Sequence, residues 1–473
     1  MSAHTPSKPF AYLLFLCLAS TLAGFLFGFD ASVINGTVLA LAAAFGTSAA
    51  ATGFAVAVVL LGSAVGAFVA GQCSDHFGRK HVMMVTAVLF GVSAWGAGGA
   101  GSATAFILFR LIGGLGVGAA CVVAPAYIAE ISPAQLRGRL TTLQQLAIVV
   151  GLQSAFLSNY LIARAAGGAD HLWLLHAAAW RWMFWVQLIP SGGYLLATLF
   201  LPESPRYLVI RGREAEARRV MARLWGAGDE LDVVVADIRA SVDREQKARL
   251  RDILVPNTNR LLPIVAVGCG LAFFSQASGI NAVMYFGEVL WHKAGFTEQN
   301  ALLINVTLGA NLIVATLVSM ALVDRVGRRP LLLAGGVIMT AMLAALMVVF
   351  LLSDRRADGT LAPTQLQTVI ALTAEHFYIF CFGATWGPVT WVLLGEMFPN
   401  RMRGAALAVA AAVLWVSNFL VTFSFPGLVE GVGLGGAFAI YAGFSLISVW
   451  FVGRAVPETR GRTLEQMGET AAP

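Results

Sequence analysis

Two charged residues stand alone in apolar chain, and together they could move a proton. Between Pro9 and Ser74 only Asp30 carries a charge, within FLFGFDASVING at 25–36. The second is Arg110, within ATAFILFRLIGGLGVGAA at 103–120. A lone charge inside hydrocarbon costs roughly 3 kcal/mol or more, whereas an opposed pair offsets much of that. If a first span runs outward to Ala40 and a fourth runs inward from Ala103, Asp30 and Arg110 lie about 15 and 10 Å below the same face, at about 1.5 Å per residue. The depths agree, so the two are expected to pair. A permanent bridge between helices is one reading. In the other, the guanidinium moves off and leaves a desolvated carboxylate that takes up a proton, the alternation that proton coupling requires.

The elements that must position this pair are membrane helices. Of 473 residues 58% are hydrophobic and 12% charged, with a mean hydropathy of +0.77. Uncharged stretches of about twenty residues, enough to cross roughly 30 Å of hydrocarbon, recur along the whole chain. Twelve spans are expected, with cores at 11–39, 51–73, 82–101, 104–129, 141–163, 182–201, 261–290, 299–322, 331–352, 368–395, 405–425 and 435–454. The fold class is therefore all-α integral membrane. Residues 1–201 form one six-helix half, 202–260 a cytoplasmic helical linker, 261–456 the second half and 457–473 a cytoplasmic tail. The first span passes signal-peptide length without a small-residue cleavage site and is expected to be retained. With both termini inside, 25 of the 31 Lys and Arg fall in inner segments and five outside. That asymmetry sets orientation and accounts for the net charge of +6 without nucleic acid. Cys17, Cys73, Cys121, Cys269 and Cys381 lie in or beside apolar spans without metal-ligand spacing, and neither metal nor cofactor is expected.

The halves repeat each other at their inner edges. DHFGRK at 75–80 answers DRVGRRP at 324–330, and PESPR at 202–206 answers PETRGR at 457–462. Glu130, Pro133, Arg137 and Gly138 have the spacing of Glu396, Pro399, Arg403 and Gly404. Such duplication marks secondary transporters, whose substrate site lies between the repeats near the midplane. Each mark joins a carboxylate to an arginine at the cytoplasmic ends of helices, where forked guanidinium pairing could latch the two halves on the inner side and release when it opens. The latch candidates are Asp75, Arg79, Glu130, Arg137, Glu203 and Arg206, then Asp324, Arg328, Glu396, Arg403 and Glu458.

These marks, with RLIGGLGVGAA, PAYIAEISPAQLRGRL, WRWMFW, QASGINAVMYF and WGPVTWVLLGEMFPNRMRG, run in the order of one family. The chain resembles the sugar porter family of the major facilitator superfamily over nearly its full length, and within it the bacterial proton-coupled sugar symporters. The resemblance implies a twelve-helix transporter working by alternating access on a hexose, pentose or polyol, with no enzyme activity. It also implies site residues. Gln145, Gln276 and Asn281 match sugar-hydrogen-bonding positions, Trp386 and Trp415 ring-contacting positions, and Tyr285 an outer gate, while Phe25 is expected to line the site. Amides and aromatic planes suit a ring that donates, accepts and stacks. Asp30 fills the position where family symporters carry Asp and uniporters commonly carry Asn.

Departures bear on the substrate. Ser275 stands where a second Gln is usual, Leu414 where an amide is common, and Leu312 replaces the eighth-span Asn, with Asn311 beside it as the substitute contact. His76 replaces the usual Arg of the first inner loop. Glu375 and His376 replace apolar residues; they are expected to face solvent or the lipid interface, a second protonatable site being the alternative. Trp391 and Asn418 are expected to pack. Gly113, Gly114, Gly116 and Gly118 read as close helix packing, not as a nucleotide loop.

The leading expectation is proton–monosaccharide symport with the proton on Asp30 beside Arg110. A facilitative sugar or polyol uniporter with a structural bridge is the alternative, and a non-transporting sugar sensor is disfavoured by the short polar tails. The partners are a sugar, protons and membrane lipid. The Arg-, Ala- and Gly-rich composition points to a high-GC bacterium and hence an inner membrane; a multi-pass monomer with both termini cytoplasmic is expected.

Overall fold

The computed structural model describes residues 8–133, 136–225, 230–244, 250–255, 258, 260–399 and 402–460. The first part of the chain forms α1 (Lys8–Val33), a 3-10 turn (Ile34–Gly36), α2 (Val38–Phe45), α3 (Ala49–Phe77), α4 (Arg79–Gly99), α5 (Ala103–Ile131), α6 (Arg137–Ala166), α7 (Ala179–Trp185) and α8 (Leu188–Phe200). Three short helices follow, α9 (Pro205–Ile210), α10 (Glu214–Trp225) and α11 (Glu230–Arg244). The last part holds α12 (Pro263–Ala277), α13 (Ile280–Tyr285), α14 (Gly287–Lys293), α15 (Glu298–Val326), α16 (Arg328–Leu352), α17 (Gln365–Ala384), α18 (Trp386–Met397) and α19 (Arg403–Ala455). A two-stranded antiparallel ribbon, Asp354–Arg355 with Leu361–Ala362, links α16 to α17.

Among the described residues eleven helical segments are long and apolar enough to cross a membrane. The last has 53 residues, about 80 Å of helix, and cannot be one span. It is interrupted at Gly433 (φ 73°, ψ 173°), which divides it in two and gives the expected twelve.

Four expected spans are not continuous helices. The first passes from α1 through the 3-10 turn Ile34–Gly36 into α2, and the other three have a local cause for each break. The sixth breaks at Val186–Gln187, because Pro190 has no N–H for the Val186 carbonyl, which accepts from Ile189 instead. The seventh breaks at Gly279, which takes φ +85°, a conformation glycine adopts without penalty. The carbonyl this break frees on Ser278 accepts from the Tyr378 hydroxyl at 2.8 Å. The tenth breaks at Thr385 (φ −130°, ψ −83°), three residues before Pro388.

By contacts the chain falls into two compact units. One spans Met1–Ala31, Leu61–Ala155 and Arg181–Gln246; the other spans Ser32–Leu60, Phe156–Trp180 and Lys247–Pro473. In the first, α9–α11 close over a small core of Leu208, Val209, Ala217, Met221 and Val235. They are tied to α5 and its end by Trp225 donating to the Ile131 carbonyl (3.0 Å) and Tyr127 donating to that of Pro202 (2.8 Å). Its helices approach closely at glycines: a Cβ on Gly118 would lie 2.1 Å from the Ser63 carbonyl oxygen.

Candidate functional site

Asp30 and Arg110 meet in the first unit. Both are fully buried. Arg110 Nη1 donates to Asp30 Oδ2 at 2.9 Å, and Nη2 donates to the Asp30 backbone carbonyl at 3.0 Å. The other carboxylate oxygen, Oδ1, accepts from Gln187 Nε2 at 3.0 Å. The guanidinium also lies 5.8 Å from the centroid of the Phe184 ring. A Cβ at Gly113, one turn beyond Arg110, would come within 2.3 Å of Ser93 Oγ and 3.3 Å of Asp30 Oδ1, so a bare Cα is needed there. Gln187 is the member that sequence reading missed. Its available signal was an amide in an apolar span three residues before a proline, and the break that Pro190 imposes is what places it.

In the second unit the break at Gly279 joins two predicted sugar ligands. Asn281 Nδ2 donates to Gln276 Oε1 at 2.6 Å, and Gln276 Nε2 donates to Ser275 Oγ at 3.0 Å. Tyr285 closes α13 and is buried. Trp386, the first residue of α18, is held by its indole N–H on the Leu332 carbonyl at 3.0 Å, and Trp415 is buried in α19. Gln145 and Phe25 belong to the first unit and are half-buried, Phe25 tilted against Phe29. Asn311 is spent otherwise: its amide donates to the His376 backbone carbonyl of α17 at 2.7 Å, a helix-to-helix bond.

Two further expectations are corrected. Glu375 does not face solvent or lipid; it is 1% exposed and accepts from Trp291 Nε1 at 2.8 Å, because its helix position turns onto α14. The Trp391 ring is not packed but 46% exposed on the outer face of α18, whereas Asn418 is buried and accepts from Thr422.

The repeated marks form two copies of one cluster, each inside its own unit. Arg79 bridges Asp75 (3.1 Å) and Glu130 (3.0 Å); Arg328 bridges Asp324 (3.0 Å) and Glu396 (2.8 Å). Glu203 accepts the N–H of Arg79 (2.9 Å) and of Lys80 (3.3 Å) at the start of α4, and Glu458 accepts those of Arg328 (3.1 Å) and Arg329 (3.0 Å) at the start of α16. Each carboxylate thus satisfies orphan donors at a helix N-terminus and meets its positive dipole. Gly78 (φ 95°, ψ 160°) and Gly327 (φ 105°, ψ 161°) make the same turn before those helices. Ser204 donates to Glu130 as Thr459 does to Glu396. Burial opposes ionisation of Glu458, but the N–H groups of Arg460, Arg328, Arg329 and Thr459 hold its carboxyl below the ordinary 4.5.

The expected pairing inside each mark is corrected. Glu396 bonds Arg328 rather than Arg403, which turns back to the Phe398 carbonyl (3.2 Å). Glu130 likewise bonds Arg79; the Arg137 side chain lies outside the described residues. Arg206, on the first turn of α9, is half-buried.

Residues 16–471 match the family described as sugar (and other) transporter. The chain belongs to that family. It is 48% identical to the glucose transport protein of Synechocystis sp. over 98% of this chain and 99% of that one. It is 34% identical to the D-xylose-proton symporter of Escherichia coli, with 97% and 95% covered. It is 35% identical to the major myo-inositol transporter IolT of Bacillus subtilis, with 97% and 94% covered. The inward-open structure of the E. coli xylose transporter XylE superimposes with a TM-score of 0.83 at 32% identity, covering 97% of this chain and all of that one. A twelve-helix sugar transporter of the major facilitator superfamily, multi-pass in the membrane, follows from the fold and the family together. Within this family of transporters, the paired N-terminal caps and the buried Asp30 are features of the chain's own residues.

Proposed function

We propose that the protein is a proton-coupled symporter of a monosaccharide, hexose or pentose, with the proton carried by Asp30. The observation that carries this reading is the buried Asp30–Arg110–Gln187 arrangement. With the guanidinium in place the carboxylate is balanced. When Arg110 withdraws, only the neutral Gln187 amide remains, and a proton then neutralises the stranded charge at lower cost than leaving it in a dry site. The proton-coupled E. coli relative supports the same reading.

Sugar recognition is assigned to Gln276 and Asn281, whose amides already bond each other and can exchange that bond for ring hydroxyls. Gln145 supplies a further amide, Trp386, Trp415 and Phe25 supply apolar planes, and Tyr285 gates. Asn311 is left out because its amide is committed to α17. The cytoplasmic face is the one carrying the Arg79 and Arg328 clusters, with both termini on that side, and the halves 1–201 and 261–456 are the alternating bodies. Release of the clusters accompanies inward opening.

The test is uptake of labelled hexoses and pentoses into proteoliposomes with an imposed pH gradient. Asp30→Asn should abolish accumulation above equilibrium while counterflow exchange continues; accumulation that survives the substitution sinks the proposal. A uniporter with a permanent bridge is the second reading, favoured by the bonding of both Asp30 carboxylate oxygens. Sugar-induced alkalinisation of a lightly buffered suspension separates the two, since a uniporter gives none.

A further inference from the structure

Glu375 lies in the middle of α17, about 15 Å along the helix from Gln365, and its side chain is enclosed. Oε2 accepts from the indole of Trp291 on α14, and Oε1 is buried with no hydrogen-bond partner among the described residues. Among the described residues no cation pairs with it. On α17 itself His376 turns away, its ring bonded to Thr307 (2.9 Å) and to the Leu372 carbonyl (2.8 Å), and Tyr378 donates to Ser278. Cys381 is one turn further on. On α14, His292 and Lys293 are exposed, and Glu288 is itself a buried acid with an unpartnered oxygen. α15 carries Glu298 at its start, with Asp324 and Arg325 at its far end; α16 carries Arg328 and Arg329, and α18 carries Glu396. Asp324, Arg328 and Glu396 are joined to one another. Tyr441 of α19 brings a buried hydroxyl near Tyr378.

A buried carboxylate with one neutral donor and no counter-ion is an unstable arrangement, whereas the neutral acid needs no compensation. We infer that Glu375 is a second proton-binding site, separate from Asp30, occupied by a proton while α14 covers it. Loss of that proton forces hydration of the carboxylate and lifts α14, the segment directly after Tyr285. Glu375 thereby makes the hold on α14 depend on its protonation.

Infrared spectra of the purified protein across a pH titration test this without any transport measurement. The difference between wild type and Glu375→Gln should contain a neutral-acid C=O band that is lost as pH is raised, and Asp30→Asn should retain it. Trp291→Phe removes a donor that favours the ionised form, so it should shift the loss to higher pH. A wild-type spectrum unchanged by Glu375→Gln, or a band that vanishes with Asp30→Asn, overturns the assignment. If Glu375→Gln fails to fold, Trp291→Phe decides: a shift to higher pH supports it, and no shift or a shift to lower pH refutes it.

Discussion

Asp30 and Glu375 are both buried carboxyl groups on membrane helices, one in each compact unit, and they are bonded differently. Asp30 accepts from a guanidinium and an amide on separate oxygens and gives its backbone carbonyl to the same arginine. Glu375 accepts one indole N–H and leaves an oxygen bare. A fixed cation lets the first group keep its charge in a dry setting; the second has only a neutral donor, and a proton is its simplest compensation. If Arg110 withdraws, Asp30 enters the situation of Glu375, so the static acid shows what the mobile one would become.

The comparison breaks first at Arg110. Arg110→Leu strands Asp30 as an uncompensated charge and should cost about 3–5 kcal/mol in thermal unfolding. Adding Asp30→Asn should recover most of the loss, and a double variant no more stable than the single one would deny that the charge is the cause. Gln187→Leu removes a hydrogen bond to a charged group, expected at roughly 1.5–3 kcal/mol by the same assay. In the Asp30→Asn background that cost should shrink, and a double-mutant cycle reads the difference. Trp291→Phe removes a neutral bond and should cost about 1 kcal/mol at neutral pH; a loss as large as that at Arg110 would mean Glu375 is ionised. The smallest effect is expected at Glu458, where backbone N–H groups compensate a partly exposed carboxylate. Its carboxyl is held below its ordinary value of 4.5, so its stabilisation is full above that value and is lost as pH falls below it. Glu458→Gln should lower the neutral plateau of the unfolding temperature slightly and leave the acid limb flatter.

Part of this site was legible because rise per residue converts sequence position into depth. Asp30 and Arg110 fall at matching depths by helix rise alone, and they are bonded. The repeated marks were legible as residue types and spacing. Their pairing was not: Glu130 and Glu396 each have an arginine seven residues on, yet Arg79 and Arg328 bind them from the starts of α4 and α16. Spacing along one loop says little when the partner arrives on another helix. Gln187 and Glu375 were illegible for a related reason, since an amide or acid in an apolar span bonds whatever face of a neighbouring helix it meets.

By itself the sequence determined the solvent, the spans and the repeat, because hydropathy over twenty residues is a local sum and motifs are local strings. The Gly279 break was also written locally, in SGIN at 278–281, but its consequence was not: that it sets Asn281 on Gln276 depends on how the two helix pieces resume. Only tertiary structure decided which carboxylates have a cation. Asp30 has Arg110 because α5 brings the guanidinium onto α1, with Gly113 leaving room for Ser93 and the carboxylate, and among the described residues Glu375 has no cation because α17 turns it onto the indole of α14. A charge in hydrocarbon is stabilised by what lies within a few ångströms of it, and that neighbourhood is built by packing.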